Sequence, residues 1–439
     1  MYDVIIRDGT IVRSSGRLVA DIAIQDGKIA YVGGNPAGPA KEEISAIGRF
    51  VMPGVIDAHV HFRDPGHPAK ESWATGSAEA LRGGVTTVLD MPDTTPATLD
   101  EATVQSKLAA AGANSVVNFG VWAGASEESI PRIAALWDSG QVCGTKVVMG
   151  DSADTQGIAP EVLERVFLET KGLIGVHAED QSTLDSARAK FEGHAGPVHN
   201  DVRPPEASVQ AVERIIELVQ RTGRSVHICH LSTAGELAVL DPYRGDLPIS
   251  CEVAPHHLFL STDNASGQGN LTKVDPPVRT ELDRRAMMAA LKRGRLDTFG
   301  SNHAPHTLEE KQQDYWSAPS GVPGVGTMFP LILGALKNGR LSLEMMVSMC
   351  SETPAALFNL EGKGVIEEGA DADIVLFREG LTTKLTQDMV TSHCGWSPFI
   401  GREVGLPLDY VMVNGHISCR SGQIVDDVPL GRSVRYSGR

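Results

Sequence analysis

The chain has 439 residues, 41% hydrophobic and 21% charged, the balance of an ordinary globular protein rather than a disordered one. Its 39 Lys and Arg stand against 55 Asp and Glu, a formal net charge of −16, and no basic run offsets it. Nucleic acid and anionic membrane surfaces are thereby excluded as expected partners.

The six cysteines are scattered with no CxxC pair, which fits reduced thiols. The start, MYDVIIRDGT, lacks the basic and apolar regions of a signal peptide. No apolar run approaches the ~18 residues of a membrane span. A cytoplasmic protein is expected.

In chain order, the first segments DVIIRDGTIV, ADIAIQ and KIAYVG are β-rich, with Asp8-Gly9 and Asp26-Gly27 as hairpin signals. The same texture returns in ADIVLF and YVMVNGHISCRSGQIV, with Asn414-Gly415 as a further turn. Two β-rich ends predict one small β-sandwich domain built from residues 1–52 and 364–439. Between them, strand-like runs at Val55–His61, Val85–Met91, Ser115–Val121, Thr145–Met149, Leu173–His177, Ser225–His230, Ile249–Val253 and Asp297–Asn302 alternate with helix-like segments. Ser72–Arg82, Glu127–Trp137, Glu206–Arg221 and Glu281–Arg293 are examples. Strands alternating with helices over 53–363 predict an α/β protein with a (β/α)8 TIM barrel. A doubly wound open sheet would carry a Gly-rich phosphate turn after its first strand, and none is present.

The chemistry gathers at strand ends. His59 and His61 lie two apart and face the same side of the first barrel strand, where two imidazoles can hold one metal ion; Asp57 follows the same alternation and can support them. Strand four carries Lys146, five ends in His177, six in His230 and eight in Asn302-His303-Ala304-Pro305-His306. A lone buried Lys is anomalous unless its amine is neutral, and near cations a neutral amine can take up CO2 as a carbamate. His256-His257 after strand seven read as lining or structural residues. His67, His194 and His199 read as solvated loop residues. The stretch Thr307–Gly326 is long enough to close over a site.

DAHVHFRDPG, LDMPDT, GTKVVMG, GVHAED, HICHLST and NHAPHTLEEK together resemble the cyclic amidohydrolases, most closely the dihydroorotase branch, over essentially the whole chain. The resemblance implies two divalent ions, zinc first, with Mn2+, Co2+ and Fe2+ compatible with the same donors. His59 and His61 are implied to hold one ion, His177 and His230 the other, with carboxylated Lys146 bridging them; Asp151 is an alternative anionic bridge. Arg63 and His306 are implied to contact substrate, a small cyclic amide or ureide, in a homo-oligomer, a dimer or tetramer.

Two departures stand out. The family pattern on strand eight is Asp-His-Ala-Pro-His, whose Asp ligates a metal and accepts the proton of the attacking hydroxide; this chain has Asn302, whose amide is a neutral ligand and no base. Strong impairment of hydrolysis is expected. The family also commonly has Asn where this chain has Asp93 and Asp275. Two carboxylates near Arg63 are expected either to pair with it or to repel an anionic substrate such as dihydroorotate. Allantoin or a hydantoin is the alternative substrate, and a non-catalytic scaffold the alternative role.

Overall fold

The computed structural model describes residues 1–153, 155–194 and 198–437; the last two residues of the expected 364–439 segment lie outside them. The eight barrel strands form where the apolar runs predict them. Val55–Val60, Val85–Asp90 and Asn118–Val121 make one parallel sheet. A second parallel sheet runs from Ala123–Gly124 through Thr145–Val148, Ile174–His177, Val226–Ile228 and Ile249–Val253 to Thr298–Phe299.

Trp122 joins the two sheets, lying between the two halves of the third strand. Its indole Nε1 donates to Ala58 O at 3.1 Å. The ring closes between the first and eighth strands, where Val60 bridges His303 and His61 N donates to His303 O at 2.8 Å. Every residue of the first, second, fourth and fifth strands is buried, as parallel strands with both faces covered must be.

Helices cover the barrel with boundaries set by capping chemistry. Trp73–Arg82 starts at Ser72, whose side chain and that of Thr75 cap each other's backbone N–H groups. Pro205–Thr222 starts on prolines and stops at Gly223, in the left-handed region at φ 68°.

Strands from both termini form one nine-stranded mixed sheet. It folds over its own core of Ile6, Ile11, Ile22, Ile24, Ile374 and Leu376, among others, giving the expected sandwich beside the barrel. Asp26-Gly27 and Asn414-Gly415 are hairpin turns with positive φ at both residues. Asp8-Gly9 is not: the first strand runs unbroken from Tyr2 to Arg13, and the pair is a bulge within it. Glycine is needed there because a Cβ on Gly9 would come within 2.6 Å of Val51 Cγ2. Among the described residues no helix is long and apolar enough to cross a membrane, and all six cysteines are buried and unbridged.

Candidate metal centre

The strand ends converge as the alternation requires. His59, His61, Lys146, His177, His230 and Asn302 line one cavity of about 350 Å3. Ring centroids are 5.4 Å apart for His59 and His61, 5.2 Å for His59 and His230, and 4.8 Å for His177 and His230. Three residues at the rim hold left-handed backbone, Arg63 at φ 59°, His230 at 39° and Asn302 at 47°. For Arg and His such a conformation costs about 1–3 kcal/mol, and it persists where the surroundings fix it at a working site.

Each of three imidazoles is gripped from behind by a carboxylate. Glu252 Oε1 lies 2.7 Å from His59 Nδ1, both Asp93 oxygens lie 2.6 and 2.8 Å from His61 Nδ1, and Glu179 Oε2 lies 2.9 Å from His177 Nε2. An ionised carboxylate only accepts, so each of these ring nitrogens carries the proton. The acids are held ionised. Burial raises their pKa, but His61 and Arg63 hold Asp93, His59 and His227 hold Glu252, and Arg203 holds Glu179 below the usual carboxylate range. Burial also presses His59 down to about 3 and lowers His177 and His230, so these rings are neutral.

A neutral ring with its proton fixed on one nitrogen presents a lone pair on the other. His59 Nε2 and His177 Nδ1 are such donors, and His177 Nδ1 lies 3.2 Å from His230 Nε2. His230 Nδ1 is buried without a hydrogen-bond partner. Imidazoles oriented from behind by carboxylates, with lone pairs turned to a common space, suit divalent cations. Lys146 adds a buried amine whose Nζ donates to Cys229 Sγ at 3.1 Å and which makes no ion pair with a carboxylate among the described residues.

A second buried group, Glu71, Glu79 and His303, also brings possible ligand atoms together. Its chemistry is different. Gly324 N and Val325 N donate to His303 Nδ1 at 3.1 and 3.4 Å, so Nδ1 is an acceptor and Nε2, which faces Glu71 Oε2 at 3.5 Å, carries the proton. His303 thus turns no lone pair toward the two carboxylates, and the group differs in this from the imidazoles of the main cavity.

The substrate-side residues divide. Arg63 Nη1 donates to Asp93 Oδ2 at 3.0 Å, so of the two outcomes expected for Asp93, pairing is the one adopted. Asp275 lines the cavity but pairs elsewhere, with Arg203 at 3.3 Å and His199 at 3.0 Å. His306 is fully buried and stands one layer back. Its Nδ1 receives Lys70 Nζ at 3.0 Å, and its Nε2 faces Ser320 O at 3.0 Å and Arg63 Nη2 at 3.4 Å. Asp57 lies within the barrel, accepting from the backbones of His59 and Ser301 and tying the first strand to the eighth. Asp151 is exposed and lines a neighbouring cavity instead.

His199 is not solvated: it sits between Asp275 and Tyr315. Glu179, Glu252 and Arg203 were not singled out by the motifs. Glu179 follows His177 by two residues, and Glu252 is a charge inside an apolar strand; both were signals of a buried partner.

These neutral imidazoles set a pH dependence. An unfolded His takes up a proton near pH 6.5, whereas His59 resists until about 3 and His257 until about 4. Between those values the unfolded chain binds more protons, so stability falls as pH falls. Each such group contributes up to about 1.4 kcal/mol per pH unit. Asp57 and Glu79, pushed up to about 7 by burial, oppose this, as do Asp90 and Glu236, which burial also raises, but the buried histidines held low outnumber them. The metal-stripped protein is expected to lose thermal stability steadily from pH 7 to 5, measured by calorimetry; a flat Tm over that range contradicts the assignment of neutral rings.

A closed parallel barrel with a terminal β-sandwich carries at its rim a set of oriented imidazoles suited to divalent cations. The chain belongs to the amidohydrolase family, whose model matches residues 50–418, and its relatives place it among the cyclic amidohydrolases. A dihydroorotase of Halobacterium salinarum is 39% identical over 416 residues, covering 94% of this chain and 95% of that protein. An allantoinase of Escherichia coli O1:K1 is 30% identical over 453 residues, covering 100% and 98%. In three dimensions the chain is similar to an L-hydantoinase from Arthrobacter aurescens, with a TM-score of 0.94 at 30% identity and coverage of 99% and 100%.

Proposed function

We propose that this protein opens a cyclic amide ring by metal-dependent hydrolysis of the dihydroorotase type, converting dihydroorotate and water reversibly to N-carbamoyl-aspartate. The observation that carries the reading is the set of imidazoles whose outer nitrogens are tied to carboxylates and whose inner nitrogens share one cavity. His59 and His61 would hold one divalent ion and His177 and His230 a second, with carboxylated Lys146 shared and Asn302 a weak neutral ligand. Divalent ions there, zinc first, supply Lewis acidity to a ring carbonyl and lower the pKa of water.

The residues supply the rest. Glu252, Asp93 and Glu179 keep the imidazole tautomers fixed. Arg63, braced by Asp93 and backed by His306, presents its guanidinium to the substrate. In the net reaction the ring C–N bond breaks, the carbonyl carbon gains hydroxyl from water and the nitrogen gains a proton. The family position that manages this proton is Asn302, which has no basic atom, and so the chain as it stands is a weak catalyst.

The Arg63–Asp93 pair favours a second reading, a neutral ureide such as allantoin or a hydantoin. The guanidinium is already neutralised, and a substrate carboxylate has to compete with Asp93 for it. Turnover of dihydroorotate, allantoin and dihydrouracil by the metal-loaded Asn302→Asp protein separates the two. Dihydroorotate is expected to have the highest kcat/KM. Turnover of allantoin or dihydrouracil without dihydroorotate assigns the neutral class. A protein that binds no metal and turns over none of the three is a scaffold.

A further inference from the structure

A second cavity of about 370 Å3 adjoins the first, and Asp275 lines both. Arg203, His199 and Tyr315 line its far side. Along that wall runs one chain of polar contacts that begins at a metal-facing imidazole and ends on the loop beyond the eighth strand.

Its sense of donation is fixed at each link. His199 Nε2 lies 3.0 Å from both Val274 O and Asp275 Oδ1, neither of which can donate, so Nε2 carries a proton. Burial lowers the His199 pKa and the ring is neutral, which makes Nδ1 an acceptor for Tyr315 O–H at 2.9 Å. Arg203 Nε reaches Asp275 Oδ1 at 3.3 Å and Glu179 Oε2 at 3.1 Å, while its Nη2 donates to Glu179 Oε2 at 2.5 Å. Glu179 in turn receives His177 Nε2–H. One guanidinium thus grips the carboxylate that orients His177 and the carboxylate that walls the cavity. Arginine suits this because its planar fork meets two acids at once, which a lysine point charge does not.

The far end of the chain is anchored by stacking and by a staple. Lys273 Nζ stands 4.5 Å above the Tyr315 ring, and Lys311 Nζ donates to the carbonyls of Lys273, Pro319 and Gly321 at 2.9–3.0 Å. The loop around Tyr315 is therefore held in register with residues 273–275.

We propose that Arg203 is a positioning residue that couples the seating of the Tyr315 loop to the ligand geometry of His177, so that divalent-metal binding and loop closure strengthen each other. Neither Arg203 nor Tyr315 offers a ligand atom; they act through Glu179 and through Asp275 with His199. The inference rests on the metal centre proposed above. Because coupling is reciprocal, an ion at His177 tightens the loop and a seated loop tightens the ion.

The test uses full-length protein with Zn2+ alone as the probe. Zn2+ affinity is measured by competition with a chromogenic chelator, and loop seating by the rate of chymotryptic cleavage at Tyr315–Trp316 with and without Zn2+. In the wild type, Zn2+ is expected to slow cleavage. Arg203→Gln is expected to weaken Zn2+ about 10–100-fold and to abolish the slowing, with Arg203→Lys intermediate. Tyr315→Phe, which deletes one oxygen far from the ions, is expected to weaken Zn2+ at least about fivefold, the lower range of typical allosteric couplings. It also keeps the test decisive if Arg203→Gln does not fold. A purely structural Arg203 lowers Tm but leaves Zn2+ protection of the loop intact, and that result overturns the proposal. Wild-type affinity and protection in Tyr315→Phe overturn it as well. A wild type that binds no Zn2+ removes the metal centre, and the coupling with it.

Discussion

Asn302→Asp is expected to raise kcat of the metal-loaded protein about 10²–10⁴-fold, the usual worth of a positioned general base. The backbone there is already prepared. Asn302 stands in the left-handed region at φ 47°, which Asp tolerates equally, and its neighbour His303 is fixed by the amides of Gly324 and Val325. The substitution is nearly isosteric, exchanging an amide for a carboxylate that can ligate and take a proton. Asp57 and Glu252 are already nearby acids behind the first strand, so the added charge needs cations to be tolerated. Steady-state kinetics at matched metal content give the result. An unchanged kcat at full occupancy means that position 302 is not where the reaction of this chain is limited.

Lys146→Met is expected to lower metal affinity more than the 10–100-fold typical of losing a group behind a ligand, because under the proposed assignment it removes a ligand shared by both ions. The amine is buried on the fourth strand, it donates to the Cys229 thiol, and the imidazoles of His59, His61, His177 and His230 line the same cavity. An ammonium in that space would face the proposed cations, whereas a carbamate would carry the anion they need. Methionine keeps the length and apolar packing, so thermal stability without metal is expected to be kept or raised. Isothermal titration with Zn2+ measures the affinity. Binding equal to the wild type leaves Lys146 a structural residue and assigns the anionic charge of the centre elsewhere.

Much of this architecture is legible in the sequence because it follows short-range rules. Alternation in an extended strand puts His59 and His61 on one side, and the apolar runs ending in His177 and His230 read as barrel strands because helix-like segments alternate with them. The turn residues at Asp26-Gly27 and Asn414-Gly415 demand positive φ and obtain it. Other features depend on which distant segments meet. Asp8-Gly9 has the composition of a hairpin but forms a bulge, because Val51 packs against Gly9 from another strand.

His199 has polar neighbours in sequence but is enclosed by Asp275 and Tyr315, 76 and 116 residues away. Asp275 is drawn from Arg63 by the nearer charge of Arg203. The carboxylates behind the imidazoles could be found only as a question, since a charge in a buried strand must have a partner that the strand itself does not name. Asn302 is the reverse case. Its identity is plain in the sequence, and the structure adds that the carboxylates lining the cavity among the described residues are committed elsewhere, Asp93 to His61 and Arg63 and Asp275 to His199 and Arg203.

The most direct test is a crystal structure of the wild-type chain grown with zinc, with anomalous diffraction recorded on both sides of the zinc edge. Two anomalous peaks are expected per chain, one beside His59 and His61 and one beside His177 and His230, with added density on the Lys146 amine between them. A well-ordered cavity at high zinc, holding only water and a bare lysine, contradicts the account at its root.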